Sequence, residues 1–216
     1  MLSIFLGLIV SYLLGSIPTA FLLGRILRKI DIRQHGSGNV GATNAFRVLG
    51  KKIGTTVLLT DIVKGFAAVG LAKNLFYETV PEIGLNTYLC CTALTVVAGH
   101  NWTVFLGFKG GKGMATSLGA LLAFAVLIQG FAGTLLSMLA FWCVVFLVSG
   151  YVSLASVASA ILLAPTAIFF HVPDEVVVFL GILSILALFR HKSNIIRLIQ
   201  KSENRFNTHR FFKKTP

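Results

Sequence analysis

The sequence predicts an all-α integral membrane protein of about seven transmembrane helices, with its N-terminus outside and its C-terminus in the cytoplasm. Three observations predict it. Of 216 residues, 56% are hydrophobic and only 12% charged, with a mean hydropathy of +0.85, whereas a soluble domain carries about 25% charged residues. Apolar stretches recur along the chain at the length a membrane helix needs, about 20 residues. The basic residues between those stretches are distributed asymmetrically, as they are when one set of loops faces the cytoplasm.

Seven apolar stretches stand out, at residues 3–24, 53–72, 87–106, 114–130, 131–149, 153–170 and 175–189. The first three are long and uninterrupted. The fourth and fifth meet at Gln129-Gly130. The last two are short and are split by His171, Pro173, Asp174 and Glu175. Half-insertion of some segments would leave five crossings as the alternative.

Charge supports seven. The segments after stretches one, three and seven hold 17 of the 19 Lys and Arg residues, and the opposite segments hold Glu78, Glu82, Asp174 and Glu175 with only Lys73 as a base. Only an odd number of crossings gives that pattern with the tail inside. No basic region precedes the first stretch, so it reads as a retained helix rather than a cleaved signal. The net charge of +12 is therefore assigned to cytoplasmic loops. No soluble basic domain remains for nucleic acid. The expected organisation is one membrane domain over residues 1–200 and a basic tail over 201–216. In that tail Phe206, Phe211 and Phe212 suit an anionic leaflet as well as a frayed end. Cys90, Cys91 and Cys143 lie in apolar stretches and read as buried small hydrophobes.

Polar and glycine residues gather in three clusters on the expected cytoplasmic face. The first runs from His35 to Asn44 and on to Arg47. Gly36, Gly38 and Gly41 permit positive φ and convergent N–H groups. Ser37, Asn39, Thr43 and Asn44 add donors, and Arg47 adds a fork suited to phosphate. A capped glycine turn is an equal reading of the run alone. The second cluster is Gly107 to Thr116, where Lys109, Gly110, Gly111 and Lys112 lead into an apolar helix, an anion-binding arrangement. It departs from the nucleotide-binding glycine loop, because Leu106 and Gly113 occupy the positions of its first Gly and its Ser/Thr. His100 precedes it by one short segment. The third cluster pairs Tyr151–Ser156, which contains Ser153, with Arg190–Arg197, where Arg190 and Asn194 share a helix face beside His191. One intramembrane charge pair, Asp61 and Lys64 at i, i+3, is spaced for mutual neutralisation.

No G-x-S-x-G elbow, no histidine with an aspartate five residues on, and no metal-ligand spacing occurs. Neither a metal nor a cofactor is expected. The residues alone point to a membrane protein that handles phosphate groups beside apolar surface. A transporter of phosphate compounds or a basic membrane scaffold would share part of that chemistry.

The runs HGSGNVGATNAFRVLGKK at 35–52, GHNWTVFLGFKGGKGMATSLG at 99–119, YVSLAS at 151–156 and RHKSNIIRL at 190–198 resemble, in order, the motifs of the bacterial acyl-phosphate:glycerol-3-phosphate acyltransferases, the PlsY family. DIVKG at 61–65 and ENRF at 203–206 add to the likeness. Thr103 stands where that family usually has Pro, a change in loop stiffness. The resemblance implies a multi-pass enzyme of the bacterial cytoplasmic (inner) membrane with its site open to the cytoplasm. Its substrates would be acyl phosphate and glycerol 3-phosphate, its product 1-acylglycerol 3-phosphate, and its surroundings membrane lipid. A functional link to an enzyme that produces acyl phosphate is implied. Gly36, Ser37, Gly38, Asn39, Gly41, Thr43 and Asn44 would hold the acyl-phosphate phosphate. Arg47, Lys112, Ser153, His191 and Asn194 would hold glycerol 3-phosphate, with Ser37 also in the catalytic set. Lys109, Gly110, Gly111 and His100 would be secondary. The hydroxyl proton goes to the substrate phosphate in the favoured reading, and to His191 in the other.

Overall fold

A computed structural model describes residues 2–77 and 84–206, so Glu78, Glu82, Phe211 and Phe212 lie outside the described residues. Among the described residues the chain is helical without strands. Its helices are α1 (Leu2–Ser16), α2 (Thr19–Arg28), α3 (Ala42–Val48), α4 (Lys51–Phe76), α5 (Leu85–Asn101), α6 (Met114–Leu127), α7 (Phe131–Ser149), α8 (Val152–Phe169), α9 (Asp174–Arg190) and α10 (Lys192–Ile199). Short 3-10 turns cover Ile32–Gln34 and Val104–Leu106.

Each of the seven apolar stretches carries a helix. Five are long and apolar enough to cross a membrane: Leu2–Arg28, Lys51–Leu75, Leu85–Leu106, Phe131–Ser149 and Val152–Phe169. A sixth follows if α9 and α10, bent by 60° at their junction, form one span. α6 is apolar but only 14 residues long, about 21 Å at helical rise, short of a hydrocarbon core of about 30 Å.

The first stretch is not one straight helix. It breaks at Ile17-Pro18, where proline lacks an N–H and disfavours helical backbone in the residue before it. The break frees carbonyl groups inside an apolar helix, and polar side chains from elsewhere take them. Lys64 Nζ donates to the Ile17 carbonyl at 3.0 Å, and Thr103 Oγ1 donates to that of Ser16.

The described residues divide into two compact units at Gln129/Gly130. In the first, α1 packs on α5 and α4 on α6, both through facing glycines. A Cβ on Gly65 would land on the Thr116 carbonyl oxygen, and one on Gly119 on that of Ile62. Gly15 and Gly99 play the same parts toward Val96 and Tyr12. Small residues let backbones approach closely where lipid provides no hydrophobic drive. Beside them, Ala20, Ile32, Val40, Ala45, Leu49, Val57 and Leu106 form a buried cluster that fixes the 30–50 segment.

In the second unit α8 packs on α7 and α9, and α10 on α8 and α9. Asp174 and Glu175 open α9, where carboxylates suit the helix dipole. Large apolar side chains face outward on both units, among them Val63, Val126, Val148 and Ile185, as befits a lipid solvent. Of the cysteines read as buried, only Cys90 is. Cys91 and Cys143 are exposed on apolar helices, because a membrane helix need not bury its small apolar residues against protein. At the start of the expected tail the Phe206 N–H donates to the Gly150 carbonyl at 2.8 Å.

Candidate active site

The loop from His35 to Gly41 is built around Asn44. This side chain is 1% exposed, so its amide must find partners within the protein. Its Oδ1 accepts the Ser37 N–H at 2.9 Å, and its Nδ2 donates to the carbonyls of His35 and Asn39, each at 3.0 Å. Gly36 and Gly38 take positive φ, +61° and +69°, and a Cβ on Gly36 would strike the Asn44 amide oxygen. Gly41 does not share that conformation: at φ −108° it is extended and starts α3. Its carbonyl is needed by the Asn44 and Ala45 N–H groups. Upstream, Asp31 accepts the Arg33 N–H and pairs with Arg33 at 2.7 Å and Arg25 at 3.2 Å. Hydrogen bonding from Arg33 holds its carboxyl well below the usual range. Ser37 is exposed at the loop's tip, and Arg47 is exposed on α3, one turn after Thr43.

The second loop is held by different means. The Gly110 N–H donates to the Asn101 carbonyl at 3.1 Å, and the Gly111 N–H to that of His100 at 3.0 Å. Both groups thus cap the C-terminus of α5, where carbonyls lack helical partners. These two N–H groups are engaged within the protein, and Lys112 and the start of α6 follow them in the chain. Lys112 is half-buried and Lys109 exposed. Gly113, at φ +79°, starts α6 against the fully buried Asn101 side chain. Thr103 anchors this loop's near end: it is 1% exposed, and its Oγ1 accepts the Phe105 N–H at 3.3 Å while donating to Ser16.

In the second unit Ser153 and Asn194 meet at one carboxylate. Ser153 Oγ donates to Glu203 Oε1 at 3.1 Å, Asn194 Nδ2 to the same oxygen at 2.8 Å, and Arg197 Nε to Oε2 at 2.7 Å. Burial alone would raise the Glu203 carboxyl. Hydrogen bonds from Arg197 and Asn194, with the Arg197 charge and the Ser153 hydroxyl, carry it below its ordinary value instead. His191 is not inside a helix that continues to Asn194, as the spacing suggested. It sits at the 60° break between α9 and α10 and starts the latter, accepting the Asn194 N–H on its carbonyl. Its Nδ1 lies 2.8 Å from the Ala187 carbonyl, so Nδ1 carries the proton of the neutral ring and Nε2 is the acceptor.

Comparison with known proteins gives these groups a setting. The profile of the glycerol-3-phosphate acyltransferases matches residues 5–201. A glycerol-3-phosphate acyltransferase of Endomicrobium trichonymphae is 41% identical over 97% of both chains. One of Moorella thermoacetica is 42% identical over 93% of this chain and 96% of its own. The chain belongs to the glycerol-3-phosphate acyltransferase family. Crystal structures of PlsY, an integral membrane glycerol 3-phosphate acyltransferase, share the fold at 37% identity. The glycerol 3-phosphate form has a TM-score of 0.84 over 98% of this chain and all of its own, and the lysophosphatidic acid form a TM-score of 0.81. This member of the acyltransferase family is therefore an integral membrane protein.

Within that family frame, the first unit brings together Gly36, Ser37, Gly38 and Asn39 in one loop, with Thr43, Asn44 and Arg47 on the helix that follows. It places His100 directly beneath Gly111. The second unit gathers Ser153 and Asn194. Sequence reasoning missed the role of Glu203: its ENRF segment entered only through the motif likeness, with no part given to the carboxylate. It also missed Thr19, which donates to Asp61 at 3.3 Å.

Proposed function

We propose that the protein transfers a fatty acyl group from acyl phosphate to the 1-hydroxyl of sn-glycerol 3-phosphate. The hydroxyl oxygen attacks the acyl carbonyl carbon, and the bond from that carbon to the phosphate oxygen breaks. The hydroxyl proton passes to the departing phosphate. The products are 1-acylglycerol 3-phosphate and inorganic phosphate. The observation that carries this reading is family membership, reinforced by a relative at 37% identity whose crystal forms hold glycerol 3-phosphate and lysophosphatidic acid.

The donor is argued from chemistry. An acyl phosphate is already activated, so the protein's tasks are positioning and stabilising charge. The residues present suit those tasks. The 35–41 loop, shaped by Asn44, presents Ser37, Gly38 and Asn39 to the acyl-phosphate phosphate, with Thr43 following. Asn44 acts by shaping that loop. Arg47 and Lys112 supply charge for glycerol 3-phosphate, with Ser153, His191 and Asn194 as its further partners and Lys109 as a secondary cation. The departing phosphate is the stronger candidate for the base, since it is a dianion at the reacting bond. His191 Nε2 is the other acceptor.

The charge asymmetry supports an N-outside orientation in a bacterial cytoplasmic membrane, and a site that draws both substrates from the cytoplasmic side. An enzyme that makes acyl phosphate is the implied supplier of donor.

The test is an acyl-transfer assay on detergent-purified protein with palmitoyl phosphate or palmitoyl-CoA as donor. Lysophosphatidic acid and phosphate formed from palmitoyl phosphate, and only with glycerol 3-phosphate present, is the expected result. Turnover with palmitoyl-CoA alone would overturn the donor. No turnover with either in folded protein would return the transporter reading.

A further inference from the structure

The proposed reaction makes no use of the buried charges of α4. Asp61, Lys64 and His100 have side chains 2%, 5% and 7% exposed, in helices surrounded by apolar residues. Asp61 Oδ1 lies 2.8 Å from Lys64 Nζ, 3.3 Å from Thr19 Oγ1 and 3.7 Å from His100 Nδ1. Lys64 Nζ also donates to the Ile17 carbonyl at the proline break. Such a group is costly to bury, and well-packed apolar residues often serve stability better. Its placement suggests what it does. His100 faces Asp61 with Nδ1, and its Nε2 edge lies against Gly111, where a Cβ would collide with it. The His100 carbonyl takes the Gly111 N–H, and the next residue is Lys112. The imidazole is therefore wedged between a fixed carboxylate and the glycine loop.

We infer that Asp61 is a positioning residue that acts through His100 to set the Gly110–Gly111–Lys112 loop for the phosphate of glycerol 3-phosphate. The inference rests on the proposed assignment of that loop. The Lys64 ammonium and the Thr19 hydroxyl fix the carboxylate, the carboxylate orients the ring, and the ring supports the loop from beneath. Gly111 is required because only a residue without a Cβ lets the backbone rest on the ring edge. A displacement of about 1 Å in a binding group far from the chemistry can cost about 100-fold in rate, so a small tilt of His100 is enough to be measured.

The experiment uses the full-length protein in detergent and two changes. Asp61→Asn with Lys64→Met removes both charges together and avoids an unpaired buried ammonium. His100→Gln keeps the volume and ends the pairing with Asp61. Glycerol 3-phosphate affinity is measured by calorimetry without donor, and KM for both substrates by turnover, with Tm as the check on folding. Each change is expected to weaken glycerol 3-phosphate binding about tenfold, to leave the KM for palmitoyl phosphate within about twofold, and to add little when combined, since both interrupt one path. Unchanged glycerol 3-phosphate affinity in folded variants would overturn the inference, as would effects that multiply. A loss of kcat with both KM values intact would make the network structural only. If the Asp61/Lys64 variant does not fold, His100→Gln alone decides by the same criterion. Wild-type protein that binds glycerol 3-phosphate but transfers no acyl group would overturn the proposed reaction and leave this inference standing; wild-type protein that binds none would overturn both.

Discussion

The two glycine loops of the first unit look alike in sequence and are held in opposite ways. The 35–41 loop is organised by a side chain: the Asn44 amide reaches up from α3 and binds the backbone at Ser37, His35 and Asn39. The 107–113 loop is organised by backbone: its N–H groups cap α5 and its glycines rest on His100 and Asn101. A glycine run thus does not reveal which of its N–H groups remain for a ligand. In the first loop the asparagine leaves the tip, with Ser37, turned outward. In the second, the two central N–H groups are engaged by the end of α5, as those of Ser37 and Gly38 are in the first by Asn44 Oδ1 and the His35 carbonyl; in the proposed assignment Lys112 supplies the second loop's charge.

The largest effect expected from that contrast is at Asn44. Asn44→Ala removes the amide that shapes the first loop, and about 100-fold loss of acyl transfer is expected, measured as phosphate release from palmitoyl phosphate. Gly111→Ala should cost less, about tenfold, because His100 can shift a little to admit the methyl group and the N–H cap survives. If the Gly111 change proved the more damaging, the view that the second loop acts mainly through Lys112 would be wrong.

The second unit sharpens the comparison, since there one carboxylate replaces both devices. Glu203→Gln should lower Tm by roughly 4–8 °C near neutral pH, as hydrogen bonds to a charged acceptor weaken by about 2 kcal/mol. The pH dependence has a definite sign. The folded-state pKa of Glu203 lies below its ordinary 4.5, so its stabilisation is present above that value and lost as pH falls through the lower, folded one. A thermal-shift series through this acid window should show a decline in the wild type that is absent in Glu203→Gln.

The smallest effect is expected at Thr103. Its φ of −67° already suits proline. Thr103→Pro should gain about 0.4–1 kcal/mol from chain entropy and lose more than that where the freed Ser16 carbonyl is left unpaired, for a net loss of about 1 kcal/mol. Equal activity and a Tm within a few degrees of wild type would bear this out.

Much of this was legible in the residues. Apolar length found every long helix, and i, i+3 spacing found the Asp61–Lys64 pair, which the structure closes at 2.8 Å. Convergence of motifs found both loops and the Ser153–Asn194 neighbourhood. What could not be read depended on partners distant in sequence. The loop-shaping part of Asn44 went unread because its hydrogen bonds run to backbone, which has no sequence signature. Glu203 was noticed only as part of ENRF, and its role went unread because its three donors come from two helices. The break at Pro18 was hidden in a hydropathy pattern that proline barely alters, and its freed carbonyls are satisfied by Lys64 and Thr103, 47 and 87 residues away.

The most direct test of the account is to measure KM for both substrates in Asn44→Ala and Gly111→Ala side by side. The account predicts a crossed pattern: Asn44→Ala raises KM for acyl phosphate and spares that for glycerol 3-phosphate, and Gly111→Ala does the reverse. Parallel increases for both substrates, or the opposite crossing, would contradict the division of labour between the two loops.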